Sequence, residues 1–200
     1  VHGGGGRGMR IVEAGQDLAK TFERCASEAQ MAFGSDALYV EALLDRVRHV
    51  EVQILGDGQG SVTHLWEREC SVQRQNQKLL EVAPCPNLLP ATRDKLLTAA
   101  KEMAASEQYR GLGTFEFLVS IDSPKVFYFI EANARLQVEH TVTEAITGLD
   151  LVALQLRIAE GASLADLNLT EAPESEGFAI QARINMEVLS PKGFFKPSGG

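Results

Sequence analysis

Cysteine is scarce in this chain: Cys25, Cys70 and Cys85 are the only three among 200 residues, and they stand far apart. That spacing fits neither a paired-cysteine zinc pattern nor a disulfide framework, so all three are expected as reduced, small apolar groups of a cytosolic protein. Positive charge is short as well. Lys and Arg number 19 against 27 Asp and Glu, a formal net charge of −8. A general nucleic-acid binder would need a basic face, so that class is not expected. No run of about 18 apolar residues occurs, so no membrane span is expected. No secretory signal stands at the front. No His/Cys cluster exists, which argues against zinc, and Ser71 has no evident His–Asp partners for a nucleophilic role. An initiator Met is missing: the chain begins VHGGGG and ends KPSGG, and it is read as an internal segment of a longer protein.

What is present suits a packed core. The hydrophobic fraction is 44%, enough for one large domain or parts of two. A glycine-rich turn runs into a short strand, Met9–Val12. Asp17 caps a helix reaching about Phe33, with Leu18, Phe22, Cys25 and Ala29 on one face. ALYVEALL reads as a strand, and HVEVQILGDGQGSVTHLWERE as a hairpin with a Gly/Asp turn. Residues 70–89, with Pro84 and Pro86, read as irregular. Pro90 opens a helix to about Tyr109. GTFEFLVSIDSPKVFYFIEANARL is a second hairpin. A capping box, Thr141 to Glu144, opens a helix that stops at Gly148, and Asp150 starts another ending at Gly161. Residues 163–176 are a polar, acidic connector before a last strand, GFAIQARINMEV. Hairpins and helices in separate runs predict an α+β core of antiparallel sheets with helices.

Three stretches carry chemistry. Gly3 to Gly6, flanked by Arg7 and Arg10, is either a flexible linker or a loop whose backbone N–H groups close over nucleotide phosphates. It lacks the lysine and following helix of a Walker A loop. In GTFEFLV, Thr114, Glu116 and Leu118 share a face. In VFYFIEAN, Phe127, Phe129, Glu131 and Asn133 do. With suitable alignment Glu116 and Glu131 meet across strands, where like charges repel unless a divalent cation lies between them. Exposed strand glutamates are the alternative. In EANARLQVEH, Glu131, Asn133, Arg135, Gln137 and Glu139 alternate strictly, as side chains on one face of a strand do.

The segments GGGGRGMRIV, RHVEVQILGDGQG, ERECSVQRQNQK, EVAPCP, GTFEFLV, FYFIEANARLQVEHTVTEAITGLDL and QARIN occur in this order. Together they resemble the biotin carboxylase component of biotin-dependent carboxylases, an ATP-grasp enzyme, over essentially the whole chain. The resemblance implies a partial lid domain at residues 1–43 and a partial C-terminal ATP-grasp domain at 44–200, with ATP between two sheets. It implies that Gly5, Gly6 and Met9 belong to the lid over ATP. Glu41, Leu43 and Leu44 match the adenine-binding hinge, and His49, Gln73 and Asn76 match positions near the ribose and phosphates. Many family members carry histidine where Asn76 stands. Glu116 and Glu131 match the Mg²⁺ (or Mn²⁺) ligands, with Asn133 beside them. Lys78, Arg135, Gln137 and Val138 match the bicarbonate site. Glu139 matches the base that takes the bicarbonate proton, and Arg183 the arginine that stabilises the biotin enolate.

The implied reaction is ATP- and bicarbonate-dependent carboxylation of biotin on a carrier protein through carboxyphosphate, within an acyl-CoA, pyruvate or urea carboxylase. The implied partners are a biotin carboxyl carrier domain, a carboxyltransferase and further copies of the enzyme. A second reading is another ATP-grasp ligase acting on an amino or carboxylic acid. A third is a non-catalytic nucleotide-binding module.

Overall fold

The computed structural model describes residues 9–191, 193 and 195–198. The glycine run before Met9, including Gly5 and Gly6, lies outside them. The chain divides into two compact units, Val1–Asp45 with Gln75–Gln77, and Arg46–Arg74 with Lys78–Gly200.

Among the described residues of the first unit the only helix is α1 (Leu18–Phe33). It begins where expected, because the Asp17 carboxylate accepts from the Lys20 N–H at 3.1 Å and satisfies an otherwise orphaned donor. It ends at Gly34, which adopts φ 71°. The strands expected at Met9–Val12 and in ALYVEALL are not formed among the described residues. Alternation alone does not make a strand: without a partner ladder the backbone donors of an isolated segment stay with water.

The second unit is built on six strands, in the spatial order β5-β4-β1-β2-β3-β6. These are β1 (Val47–Asp57), β2 (Val62–Arg74), β3 (Gln77–Ala83), β4 (Arg110–Ser120), β5 (Phe127–Asn133) and β6 (Ala179–Ala182). The β1–β2 turn forms as the sequence predicts: the Asp57 carboxylate accepts from Gln59 N–H at 2.8 Å and Ser61 N–H at 3.1 Å, and Gly58 supplies φ 75°. The irregular stretch expected at 70–89 is confined to 84–89, and 70–83 form a hairpin instead. β2 continues to Arg74, turns through Gln75 (φ 51°) and Asn76 (φ 64°), and returns as β3. Two consecutive left-handed residues match the twist of a tight hairpin. The signal was an unusual Gln-Asn turn, masked by the prolines that follow.

One face of the sheet is apolar. Val50, Val52, Ile54, Phe115, Phe117 and Val119 pack on Leu96, Leu97, Ala100 and Ala104 of α2 (Pro90–Ser106), which stops short of the expected Tyr109. The other face changes character along its length. Leu55, Leu65 and Leu112 are covered by Leu151 and Ile158 of α4 (Leu151–Ala159) and by Leu164 and Leu169 of the connector. Further along, the same face carries His49, Glu51, Gln53, Thr114 and Glu116.

Two local expectations fail for identifiable reasons. β5 is not regular: Glu116 pairs with Glu131 and Phe117 with Phe129, with a register shift between them. Ile130 is therefore the extra residue of a bulge. It turns Phe127 and Phe129 to the apolar face, each with its ring centroid 5.7 Å from that of Phe117, and leaves Glu131 and Asn133 on the polar face. The four do not share a face. The capping box is also absent. α3 (His140–Thr147) has Glu139 at its N-cap. Thr141 Oγ1 donates to Gln181, and Glu144 accepts the Leu151 N–H at 2.8 Å, capping the next helix instead. Gly148 ends α3 as predicted, with φ 70°, and Asp150 caps α4 through Ala153 N–H at 2.8 Å. The last predicted strand is broken into β6 and β7 (Glu187–Leu189), which pairs with β8 (Phe195–Pro197).

Candidate active site

Five strands and a loop of the second unit converge on one buried ionic network. Glu51 comes from β1, Arg68 from β2, Lys78 and Glu81 from β3, and Glu116 from β4. Gln137 and Glu139 come from the loop after β5, and Arg183 directly follows β6. Strand pairing sets these positions: Glu51 lies opposite both Arg68 and Glu116, so their side chains share the polar face.

Lys78 is the hub. Its ammonium donates to Glu51, to Glu139 at 2.8 Å and to Glu116 at 3.1 Å. Burial disfavours its charge, but Glu51 and the other anions outweigh that and raise its pKa. Glu116 also accepts from His49 Nε2 at 2.5 Å, Asn133 Nδ2 at 2.9 Å and Gln137 Nε2 at 3.2 Å. Burial opposes its ionisation, yet the His49 bond and Lys78 prevail and hold it at about 2. Glu139 is treated alike: burial raises its pKa, but Lys78 above all brings it below the usual carboxylate range. Its second oxygen accepts from Arg183 Nη2 at 2.5 Å.

The supporting contacts fix tautomers and orientation. Gln73 Nε2 donates to the Cys70 carbonyl at 2.8 Å and stands 2.7 Å from His49 Nδ1. An amide N–H₂ at Nδ1 makes that nitrogen the acceptor, so Nε2 carries the proton toward Glu116. Arg68 is fully buried and donates to Glu51 at 2.5 Å, Gln53 at 2.7 Å and Thr143 at 2.9 Å. Thr114 donates to Gln137 Oε1 at 2.6 Å, which leaves the Gln137 amide N–H₂ aimed at Glu116.

Glu116 and Glu131 are directly cross-strand, as the sequence predicts, and Asn133 Nδ2 donates to both, at 2.9 Å and 3.2 Å. One amide group thus occupies the point that serves both carboxylates. Two carboxylates and an amide are a hard-oxygen set that fits Mg²⁺. Ligand atoms of His49, Glu51 and Glu116 also lie within 4.8 Å of one another. In that group Glu51 is already paired with Arg68 and Lys78, and Glu116 with Lys78 and the His49 N–H, whereas Glu131 is exposed to solvent.

Over residues 1–167 the chain matches the family described as "Carbamoyl-phosphate synthase L chain, ATP binding domain". The chain belongs to that family. Pyruvate carboxylase of Aspergillus niger is 53% identical over 198 residues, covering 98% of this chain and 16% of the relative. Human mitochondrial pyruvate carboxylase is 48% identical over 201 residues, covering 100% and 17%. Among solved structures, biotin carboxylase of Campylobacter jejuni has a TM-score of 0.87 at 43% identity, covering 98% of this chain and 42% of that one. The biotin carboxylase domain of Hydrogenobacter thermophilus 2-oxoglutarate carboxylase was solved with MgADP, ADP and bicarbonate. It has a TM-score of 0.86 at 42% identity, with coverage of 98% and 42%. The α+β architecture is that of these biotin carboxylase neighbours, and the chain spans 16–17% of the length of the two carboxylases named. Another solved neighbour is a single-chain, multi-domain long-chain acyl-CoA carboxylase, with a TM-score of 0.73 at 42% identity, covering 78% of this chain and 17% of that one.

Of the residues singled out in the sequence, His49, Gln73, Lys78, Glu116, Glu131, Asn133, Gln137, Glu139 and Arg183 come together. Arg135 and Val138 do not join the network: both are exposed, and Arg135 donates to the neighbouring Leu136 carbonyl at 3.4 Å. β5 ends at Asn133, so the alternation beyond it belongs to a turn that buries Gln137 and Glu139 and turns Arg135 outward. Met9, Glu41, Leu43, Leu44 and Asn76 belong to the first unit; Met9 is 66% and Leu43 58% exposed. The sequence reading missed Glu51, Arg68 and Glu81. Their signal was a charge at the midpoint of a strand otherwise rich in apolar residues, as in VEVQI.

Proposed function

We propose that this chain is the carboxylating part of a biotin-dependent carboxylase, using ATP and bicarbonate to carboxylate biotin held on a carrier. The observation that carries this reading is Glu139, buried and gripped between Lys78 and Arg183, and joined through Lys78 to Glu116 of the Glu116–Glu131 pair. Anion-binding cations, a proton acceptor and metal-type carboxylates meet in one site.

Bicarbonate is a poor electrophile, and phosphorylation by ATP converts it to carboxyphosphate with release of ADP. Lys78 and the Gln137 amide supply donors for an anionic oxygen in this site. Glu139 takes the bicarbonate proton. Its pKa is held low by Lys78, so it is a weak base, and its contribution comes from fixed placement against the substrate. Carboxyphosphate then breaks down to CO₂ and phosphate, the released phosphate takes the biotin ureido N–H proton, and that nitrogen adds to CO₂ to form the new N–C bond. Arg183 meets the negative charge that develops on the ureido carbonyl oxygen of the acceptor. Glu116, Glu131 and Asn133 would hold Mg²⁺ or Mn²⁺, which when bound neutralises phosphate charge. His49 and Gln73 face the nucleotide side. Arg135 and Val138 complete the bicarbonate site, and Gly5, Gly6, Met9, Glu41, Leu43, Leu44 and Asn76 contact ATP; for these the support is the family resemblance.

The reading implies a biotin carboxyl carrier domain, a carboxyltransferase and assembly with other copies. It places the reaction in the cytoplasm, where three free, buried cysteines stay reduced. Among the described residues no helix is long and apolar enough to cross a membrane. In the full-length protein, Glu139→Gln is expected to reduce bicarbonate-dependent ADP release by about a hundredfold or more while calorimetry still detects ATP binding. Unaltered turnover would overturn the assignment.

A further inference from the structure

Arg183 stands at a weak place in the sheet. β6 has four residues and lies at the edge; the Arg183 N–H still donates to the Leu79 carbonyl at 2.9 Å, and the chain then leaves the ladder, with Ile184 91% exposed. Backbone pairing alone does not aim a long guanidinium side chain from such a position.

Glu81 does. It lies on β3 opposite Gln181, and its Oε1 accepts from Arg183 Nε at 2.9 Å. Its carboxylate is fully buried, and among the described residues Oε2 has no hydrogen-bond partner. Among the described residues, Arg183 is the only cation in an ion pair with it. A buried carboxylate with one counter-ion holds that counter-ion firmly, because releasing it leaves an uncompensated charge. Nε and Nη2 share one edge of the rigid guanidinium plane, so fixing Nε fixes where Nη2 points. Nη2 points at Glu139, at 2.5 Å.

Building on the biotin carboxylase function proposed above, we infer that Glu81 is a positioning residue for the second half-reaction. It anchors Arg183 by Nε so that the rest of the guanidinium stays beside Glu139, where the biotin acceptor is met. Glu81 touches no reacting atom and acts only through Arg183.

The test uses the full-length protein and two ADP-release assays, one with bicarbonate alone and one with bicarbonate and free biotin. Glu81→Leu is expected to lower the biotin-stimulated rate, or raise the KM for biotin, by about tenfold, the scale of one lost charge-assisted hydrogen bond. Release without biotin should hold within about twofold, since Lys78 still grips Glu139. Glu81→Gln keeps an acceptor for Nε and should recover part of the loss. In an Arg183→Ala background, Glu81→Leu should add nothing further. Equal loss in both assays, or a full additional loss in that background, would overturn the inference. A crystal structure of Glu81→Leu tests it without turnover: Arg183 swung away from Glu139 is expected, and an unmoved Arg183 contradicts it. A wild-type protein indifferent to bicarbonate and biotin would instead refute the function proposed above, and the Arg183 geometry would still decide the role of Glu81.

Discussion

Lys78 shows how one side chain can organise a site. Three carboxylates share its ammonium, and each would otherwise repel the others. Lys78→Met should therefore cost about 3 kcal/mol or more in urea unfolding of the full-length protein, the scale for leaving buried charges without their partner. A change below about 0.5 kcal/mol, the level of an ordinary surface substitution, would mean that the cluster is not held by this ion. His64 offers a pH-dependent test away from the site. Burial, with Lys101 adding to it, lowers its pKa from 6.5 to about 4. Between those values the unfolded chain binds more protons than the folded one. The stability contribution is therefore complete above about 6.5 and is lost as pH falls toward 4. Removing the titrating ring with His64→Gln should flatten this part of the stability–pH curve. A curve that runs parallel to the wild type would contradict the burial argument.

At the level of elements, helix starts and hairpins were legible where a local side chain dictates them. Asp17, Asp150, Pro90 and Gly148 each act on backbone within a few residues, so their meaning survives without tertiary context. The bulge at Ile130 did not show, because a period-two pattern reads the same until a partner strand decides which residue is extra. The capping box failed likewise: Thr141 and Glu144 had the right spacing, but Gln181 and the N-terminus of α4 compete for them. Glu144→Ala is expected to cost about 1 kcal/mol by uncapping α4, as is Asp150→Ala. The measurement is the shift in unfolding midpoint. A cost at Thr141→Ala with none at Glu144→Ala would restore the local capping reading.

On the scale of the whole molecule, one sheet face does two jobs. Its apolar half is sealed by α4 and the connector leucines, and its polar half is the candidate site. The sequence showed the residues near the centre of that half, because Glu116, Glu131, Asn133 and Glu139 sit in recognisable segments. It did not show the buried support, Glu51, Arg68 and Glu81, because the strand register that sets them against Lys78 and Arg183 is a tertiary fact. Nor did it separate Arg135 and Val138 from Gln137 and Glu139, since a turn after Asn133 replaces the strand that their alternation suggested.

The central claim is that this face carries out ATP-dependent carboxylation of biotin. ADP release from MgATP by the full-length protein, with and without bicarbonate and biotin, tests it most directly. Stimulation by bicarbonate, increased further by biotin, is the predicted result. ATP binding with ADP release indifferent to both would contradict it.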